Sequence, residues 1–367
     1  MAVVGAGRLG GFHARKLAAS EQVKLLAVVD PLPAARNRLA AECHTRALAD
    51  HGSLLDQVDA AVIAAPTRLH HRLALDFLRR GIHLLVEKPL CRTLAEADEL
   101  VDVAWRKGAV LQVGHVERFN PAFAAAASHA AGPKYVEAVR QSGFTFRSTD
   151  IGVVLDLMIH DLDLLLSMVR SPLRRVDALG LSVLGGHEDV ANARLEFQCG
   201  CVATLSASRV SYQSARRMQL WSARAFAAID FAGCTTTLVH PSQTLLRRQL
   251  DVEELSPQQV EHYREHLFDE LLPRTHLEFE AVDALALEQE DFLQSIRTLR
   301  RPRVPGEAGR DAVAAAEQIL ARIHTHAWDD APDGPVGPLF TPHSRVIPAP
   351  HFDLTAAQLP LPRKEAG

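Results

Sequence analysis

Through the first third of the chain, short apolar runs rich in valine, leucine and alanine alternate with stretches whose apolar positions recur at helical spacing. The runs at 2–4, 25–29, 60–64, 83–86 and 110–113 read as strands, and the stretches at 11–20, 36–42, 71–80 and 94–107 as helices. Gly81 and Gly108 follow two of these helices as stop signals. Strands that are apolar throughout and separated by helices of this length predict βαβ units, hence a parallel sheet covered on both faces. The first strand is unusually short because Gly5 already opens a turn. Either the true start lies upstream or this strand has lost its opening residues.

Beyond residue 118 the pattern changes. An alanine-rich helix over 122–131 leads to a strand at 135–141 and an apolar helix over 153–169. Strand-like runs then cluster at 176–183, 191–197, 202–208, 218–222 and 225–231, with a hairpin turn at 198–200. Helices at 283–300 and 307–324 close the folded part. The prediction is a doubly wound α/β domain over 1–118, then an α+β domain over 119–328 with an open, mostly antiparallel sheet. The last 39 residues hold 8 of the 20 prolines and read as a Pro-rich tail over 329–367, extended or disordered.

Composition narrows the class. The 367 residues are 47% hydrophobic and 23% charged, with 40 basic against 44 acidic side chains and a net charge of −4. No basic excess is available to neutralise a phosphate backbone, so nucleic acid is not an expected partner. The five cysteines form no paired framework, which fits free thiols in a reducing cytoplasm. The apolar run 153–169 carries Asp156, His160, Asp161 and Asp163, too many ionisable groups for a membrane span.

Candidate chemistry starts at Gly5-Ala6-Gly7-Arg8-Leu9-Gly10, between a predicted strand and helix. The first glycine permits a tight turn, the second lets a pyrophosphate approach the backbone, and the third packs helix on strand. Asp30 follows 20 positions after Gly10 at a strand end, placed to accept from a ribose 2′-hydroxyl and to repel a 2′-phosphate. The stretch Pro31-Leu32-Pro33 offers no cation beside it. Together these predict a Rossmann dinucleotide site for NAD in preference to NADP. Pro66, Thr67 and His70 lie in a loop after the strand at 60–64, and Glu87-Lys88-Pro89 directly follows the strand at 83–86. Both loops belong to strand ends, where ligands of such sheets bind. Asp156, His160 and Asp163 fall on one helix face at i, i+4 and i+7, a spacing that lets an aspartate orient a histidine base. The spacing suggests no metal site.

The joint occurrence of the glycine turn, Asp30, the Pro66–His70 loop, Glu87-Lys88-Pro89 and Asp156…His160 resembles the Gfo/Idh/MocA oxidoreductases. Within that family, the runs at 113–121 and 154–163 are most similar to members that oxidise the 3-hydroxyl of a UDP-N-acetylhexosamine. The resemblance implies that Gly5, Gly7, Gly10 and Asp30 hold the NAD adenosine and pyrophosphate, and that Pro66, Thr67, His70 and Glu87 line its nicotinamide half. It implies Lys88 beside the reacting hydroxyl, His160 as general base and Asp156 as its hydrogen-bonded partner. Arg118 and Asn120 are expected at the domain junction against nicotinamide or substrate, and Arg147 and Asp163 as further contacts to a sugar or UDP-sugar substrate. A homodimer or homotetramer paired through the second sheet is implied as well. The other readings are an inositol or free-sugar dehydrogenase, an NAD-dependent glycosidase, and a non-catalytic NAD-sensing protein.

Overall fold

The computed structural model describes residues 1–280, 282–328, 334 and 336–339. Six strands form the first sheet: β1 (Ala2–Val4), β2 (Ala27–Val29), β3 (Arg46–Leu48), β4 (Ala60–Ile63), β5 (His83–Glu87) and β6 (Leu111–Gly114). Their order is β3-β2-β1-β4-β5-β6, and every pair is parallel. The chain begins at the centre, runs outward to β3, then returns past β1, so the strand order reverses between β1 and β4. Period-2 alternation divides each central strand between two helical layers. Val3, Val28, Val62 and Leu85 enter one apolar cluster, while Val4, Val29, Ile63 and Val86 enter the other. Burial on both faces is why these runs read as continuously apolar.

Helices α1 (Arg8–Ala19), α2 (Pro33–Glu42), α3 (His70–Leu78) and α4 (Leu94–Lys107) cover the sheet. Helix α4 shows how local sequence fixes an element: Thr93 and Glu96 form a reciprocal capping box at its start, and Gly108, at φ +63°, ends it. Strand β3 escaped expectation because it is a three-residue edge strand with Arg46 and Ala47 exposed.

The second unit contains α5 (Pro121–His129), β7 (Tyr135–Gln141), α6 (Ile159–Val169), β8 (Leu173–Leu181), β9 (Val190–Phe197), β10 (Val202–Ser208), β11 (Ala215–Trp221), β12 (Phe226–Asp230) and β13 (Thr235–Val239). It continues with α7 (Gln243–Leu246), α8 (Pro257–His266), β14 (Arg274–Glu278), α9 (Ala284–Thr298) and α10 (Gly306–Thr325). Its eight strands run β14-β13-β12-β11-β7-β10-β9-β8, all antiparallel except the parallel pair β7–β10. The expected turn at 198–200 joins β9 to β10, with Gly200 at φ +82°. The expected helix over 153–169 is divided: a π turn, Val154–Met158, precedes α6. Between β12 and α9 the sequence is polar with little periodicity, and β13, α7, α8 and β14 were not foreseen there.

Two late helices join the halves. Phe292 of α9 packs with Val3, Leu17 and Val28, so α9 returns to the first sheet. Helix α10 lies against β6 at Gly306 and Gly309, where an added Cβ would come within 2.7 Å of Leu111 and 2.5 Å of Val113. Its other face packs on α6 and β8. The segment Val336–Leu339 sits against the second unit through a bridge to Ala327 and a bond from the Ser182 amide to the Pro338 carbonyl at 2.7 Å. The rest of the expected tail lies outside the described residues. No helix among the described residues is long and apolar enough to cross a membrane.

The turn after β1 is sterically closed at two of its glycines. Gly5 takes φ +107°, and a Cβ on Gly10 would stand 1.9 Å from the Gly5 carbonyl oxygen. Gly10→Ala is therefore expected to lower the melting temperature on the order of 5–10 °C, whereas Gly7→Ala should melt within about 2 °C of wild type. Thermal unfolding by circular dichroism checks both, and equal melting of the two variants would refute this account of the turn.

Candidate functional site

Five loops that carry candidate chemistry leave the carboxyl ends of the first sheet: Gly5 after β1, Asp30 after β2, Ala64 after β4, Lys88 after β5 and His115 after β6. In the glycine turn, Gly5, Ala6 and Gly10 are buried while Gly7, Arg8 and Leu9 are exposed. Nothing lies within 4 Å of where a Gly7 Cβ would stand, and the Gly7 N-cap supplies no side-chain bond to α1. The helix thus begins with uncapped N–H groups facing open space, which fits a dinucleotide pyrophosphate. Asp30 fastens this turn: one carboxylate oxygen accepts from the Ala6 amide and the other from the Leu32 amide, both at 2.8 Å. Each oxygen retains a lone pair for a ribose hydroxyl. Contrary to the sequence expectation, a cation does reach this corner, because Arg36 donates to the Asp30 and Pro31 carbonyls at 3.2 and 3.0 Å.

The second loop is tied to its neighbour through His70. Pro66 is exposed and Thr67 buried at the start of a 3-10 turn. The His70 ring nitrogens lie 2.9 Å from the Pro89 carbonyl and 2.8 Å from the Ala65 carbonyl, joining the loops after β4 and β5. Glu87 is also buried. Its Oε1 lies 2.7 Å from His13 Nε2 on α1, and Gln289 Nε2 of α9 reaches His13 Nδ1 at 2.9 Å. Beside them Glu288 is fully buried, and neither of its carboxyl oxygens has a partner. Burial, with the Glu87 carboxylate adding to it, holds Glu288 well above the usual carboxylate range and favours its protonated form. His13, Glu87 and Glu288 are close enough to be ligands of one ion, a grouping that sequence spacing gave no hint of. His13 and Glu87 are bonded to each other, and the Lys88 amide donates to Glu87 Oε2 at 3.3 Å.

Lys88 projects into the junction of the halves. Its Nζ donates to the Asp156 carbonyl at 2.6 Å and to Asp156 Oδ1 at 3.1 Å. Bonding in the intervening π turn runs i to i+5, which changes the faces presented by Asp156 and His160. The expected Asp156–His160 hydrogen bond is therefore replaced by Lys88–Asp156. His160 Nδ1 is buried without a partner, while Nε2 is neither buried nor bonded to the described residues. Burial, and then the charge of Lys88, holds the His160 imidazole well below its ordinary value.

The remaining expected contacts lie around the junction and on the loop after β7. Arg118 grips Asp163 through Nε and Nη2 at 2.6 and 3.0 Å, with Asp163 buried, so this pair anchors the turn after β6 to α6. Asn120 caps α5 by accepting from the Ala122 amide at 3.0 Å. Arg147 is exposed on the loop after β7. Arg140 joins Glu117 and Asp161 beneath this layer, at 3.0 and 2.9 Å. His13, His115, Arg140 and Glu288 were not among the sequence candidates, and of these only His115, within the run 113–121, had any sequence signal.

Because Glu288 has a raised folded pKa, its stabilisation is complete below its ordinary value of 4.5 and is lost as pH rises toward the folded value. Glu288→Gln removes that loss. The melting temperature of this variant, minus that of wild type, should increase between about pH 5 and about pH 8. A difference that does not vary with pH would show that Glu288 is ionised in the folded protein.

Residues 1–115 match the model of the oxidoreductase family with an NAD-binding Rossmann fold, and residues 122–225 match the GFO/IDH/MocA C-terminal domain. A UDP-N-acetylglucosamine 3-dehydrogenase of Acidithiobacillus ferrooxidans is 36% identical over 322 residues, covering 88% of this chain and 96% of that one. Its solved structure matches with a TM-score of 0.75 over the same shares of the two chains. A scyllo-inositol 2-dehydrogenase (NAD(+)) of Bacillus subtilis is 29% identical over 57% of this chain and 67% of its own. A levoglucosan dehydrogenase solved with NADH shares the fold at 14% identity, with a TM-score of 0.73 over 88% of this chain and 96% of that one. The chain therefore belongs to the Gfo/Idh/MocA family of NAD-binding oxidoreductases.

Proposed function

We propose that this protein oxidises a secondary hydroxyl of a sugar nucleotide, the 3-hydroxyl of a UDP-N-acetylhexosamine. The observation that carries the reading is a free imidazole nitrogen, His160 Nε2, beside an ammonium, Lys88, at the mouth of a Rossmann crevice. The likeness over 88% of the chain to a UDP-N-acetylglucosamine 3-dehydrogenase supports the substrate class. Gly5, Ala6, Gly7, Arg8, Leu9, Gly10 and Asp30 would hold NAD at the open helix start. Bound there, NAD supplies the hydride acceptor.

The chain's own groups handle the proton and the developing charge. An ammonium has three N–H donors. Lys88 uses two on Asp156 and keeps one for the substrate oxygen, where it would stabilise an alkoxide. His160, kept neutral by burial, has a lone pair on Nε2 ready to accept the hydroxyl proton. Asp156 thus acts through Lys88 and not through His160. The same reading makes the protein a cytoplasmic homo-oligomer that pairs through the open face of the second sheet, and its free cysteines fit a reducing compartment.

Formation of NADH from NAD and UDP-N-acetylglucosamine tests the substrate, with inositols and free sugars as the comparison. Turnover confined to those polyols would replace the sugar-nucleotide assignment. Lys88→Ala should lower kcat about 10²–10³-fold while leaving the NAD dissociation constant within about threefold. The acid limb of kcat/KM should lie below about pH 6.5, since the neutral base persists to lower pH than an ordinary imidazole. His160→Asn should remove that limb together with about 10²–10⁴-fold of the rate. An unchanged profile in this variant would transfer the base role to Lys88.

A further inference from the structure

Among the described residues, every buried side-chain polar atom without a partner belongs to Gln112, His115, His160 or Glu288. Such atoms are rare in folded proteins and call for an explanation where they gather. Two of the four residues are direct neighbours. The His115 and His160 rings meet edge to face, with centroids 6.3 Å apart and planes at 84°. That separation is too long for a direct N–H···N bond, so a hydrogen-bonded link between the rings needs a bridging molecule such as water.

A histidine that accepts a proton at Nε2 must carry its own proton on Nδ1, and a buried Nδ1–H needs an acceptor. Asp156, expected at that place, is taken by Lys88. Both nitrogens of His115 are buried and unpartnered. The backbone of His115 is fixed between the end of β6 and a 3-10 turn, whose Arg118 is locked to Asp163. We propose that His115 is the positioning residue for His160: a water held between the rings accepts from His160 Nδ1–H and donates to a His115 ring nitrogen, keeping the Nε2 lone pair toward the substrate. This rests on the reading of His160 as the base.

The surrounding charges fit two neutral rings. His115 faces Glu87 and Lys88 from β5 and its loop, Arg118 from its own turn, and Asp163 and His160 from α6. His160 faces Lys88, His115, Arg140 on β7 and Arg216 on β11. Burial lowers both imidazoles, so each offers one donor and one acceptor at neutral pH.

The test compares His115→Leu, which removes the acceptor, with His115→Gln, which keeps one. His115→Leu should lower kcat about tenfold or more and move the acid limb of the profile to lower pH, because the imidazolium loses its acceptor. KM for NAD should stay within about twofold, and His115→Gln should recover most of the rate. Wild-type kcat and pH profile in His115→Leu would overturn the proposal. A second measurement needs no variant to be active. In wild-type enzyme with ¹⁵N-labelled histidine, the signals assigned to His160 by their absence in His160→Asn should report the Nδ1–H tautomer. The Nε2–H tautomer would overturn the proposal. Inactive His160→Asn beside unaffected His115→Leu sinks the His115 role alone, whereas full activity in His160→Asn sinks the base assignment beneath it.

Discussion

The ammonium of Lys88, held by one residue of the opposite half of the molecule, is the contact around which the crevice is organised. Asp156 receives it through both a main-chain carbonyl and a carboxylate oxygen. Asp156 lies within the π turn, a feature often found at functional sites. From the other side, β5 aims Lys88, Glu87 holds its root, and His13 and Gln289 hold Glu87. Elements from the start, middle and end of the chain therefore converge on one charge. Burial keeps His160 neutral, and the cation placed beside it adds to that preference.

Beneath that layer, ionic groups are buried in matched sets. Arg118 with Asp163, Arg140 with Glu117 and Asp161, and Arg209 with Asp189 are all largely withdrawn from solvent. Buried pairs of this kind seldom add much net stability, because desolvation offsets most of their attraction. What they provide is a single arrangement. The 3-10 turn after β6 has one place to go, since Glu117 and Arg118 each meet a fixed partner on another element.

Much of the fold was legible because its signals are local. Central strands buried on both faces must be apolar throughout, and the glycine turn, Asp30 and the Glu87-Lys88-Pro89 element each sit next to the strand that positions them. The contacts that local patterns do not announce depend on distant partners or on a departure from regular winding. Asp156 and His160 share a face only if the helix keeps 3.6 residues per turn, and no pattern of apolar residues announced the π turn. Asp163 looked available because its partner Arg118 lies 45 positions earlier, and Glu288 approaches Glu87 from near the end of the chain. Strand β14 and helix α8 are short, exposed elements with polar sequence, so periodicity had little to register.

Asp30 shows how tightly cofactor choice is built into the scaffold. Its two oxygens each fasten a main-chain amide, one in the glycine turn and one in the corner before α2. The residue that would repel a 2′-phosphate is thus also the clasp of the glycine turn. Engineering this enzyme toward the phosphorylated coenzyme by replacing Asp30 alone would loosen the cradle while removing the repulsion. A workable redesign has to rebuild the corner, with Arg36 already close enough to be recruited as the new anchor.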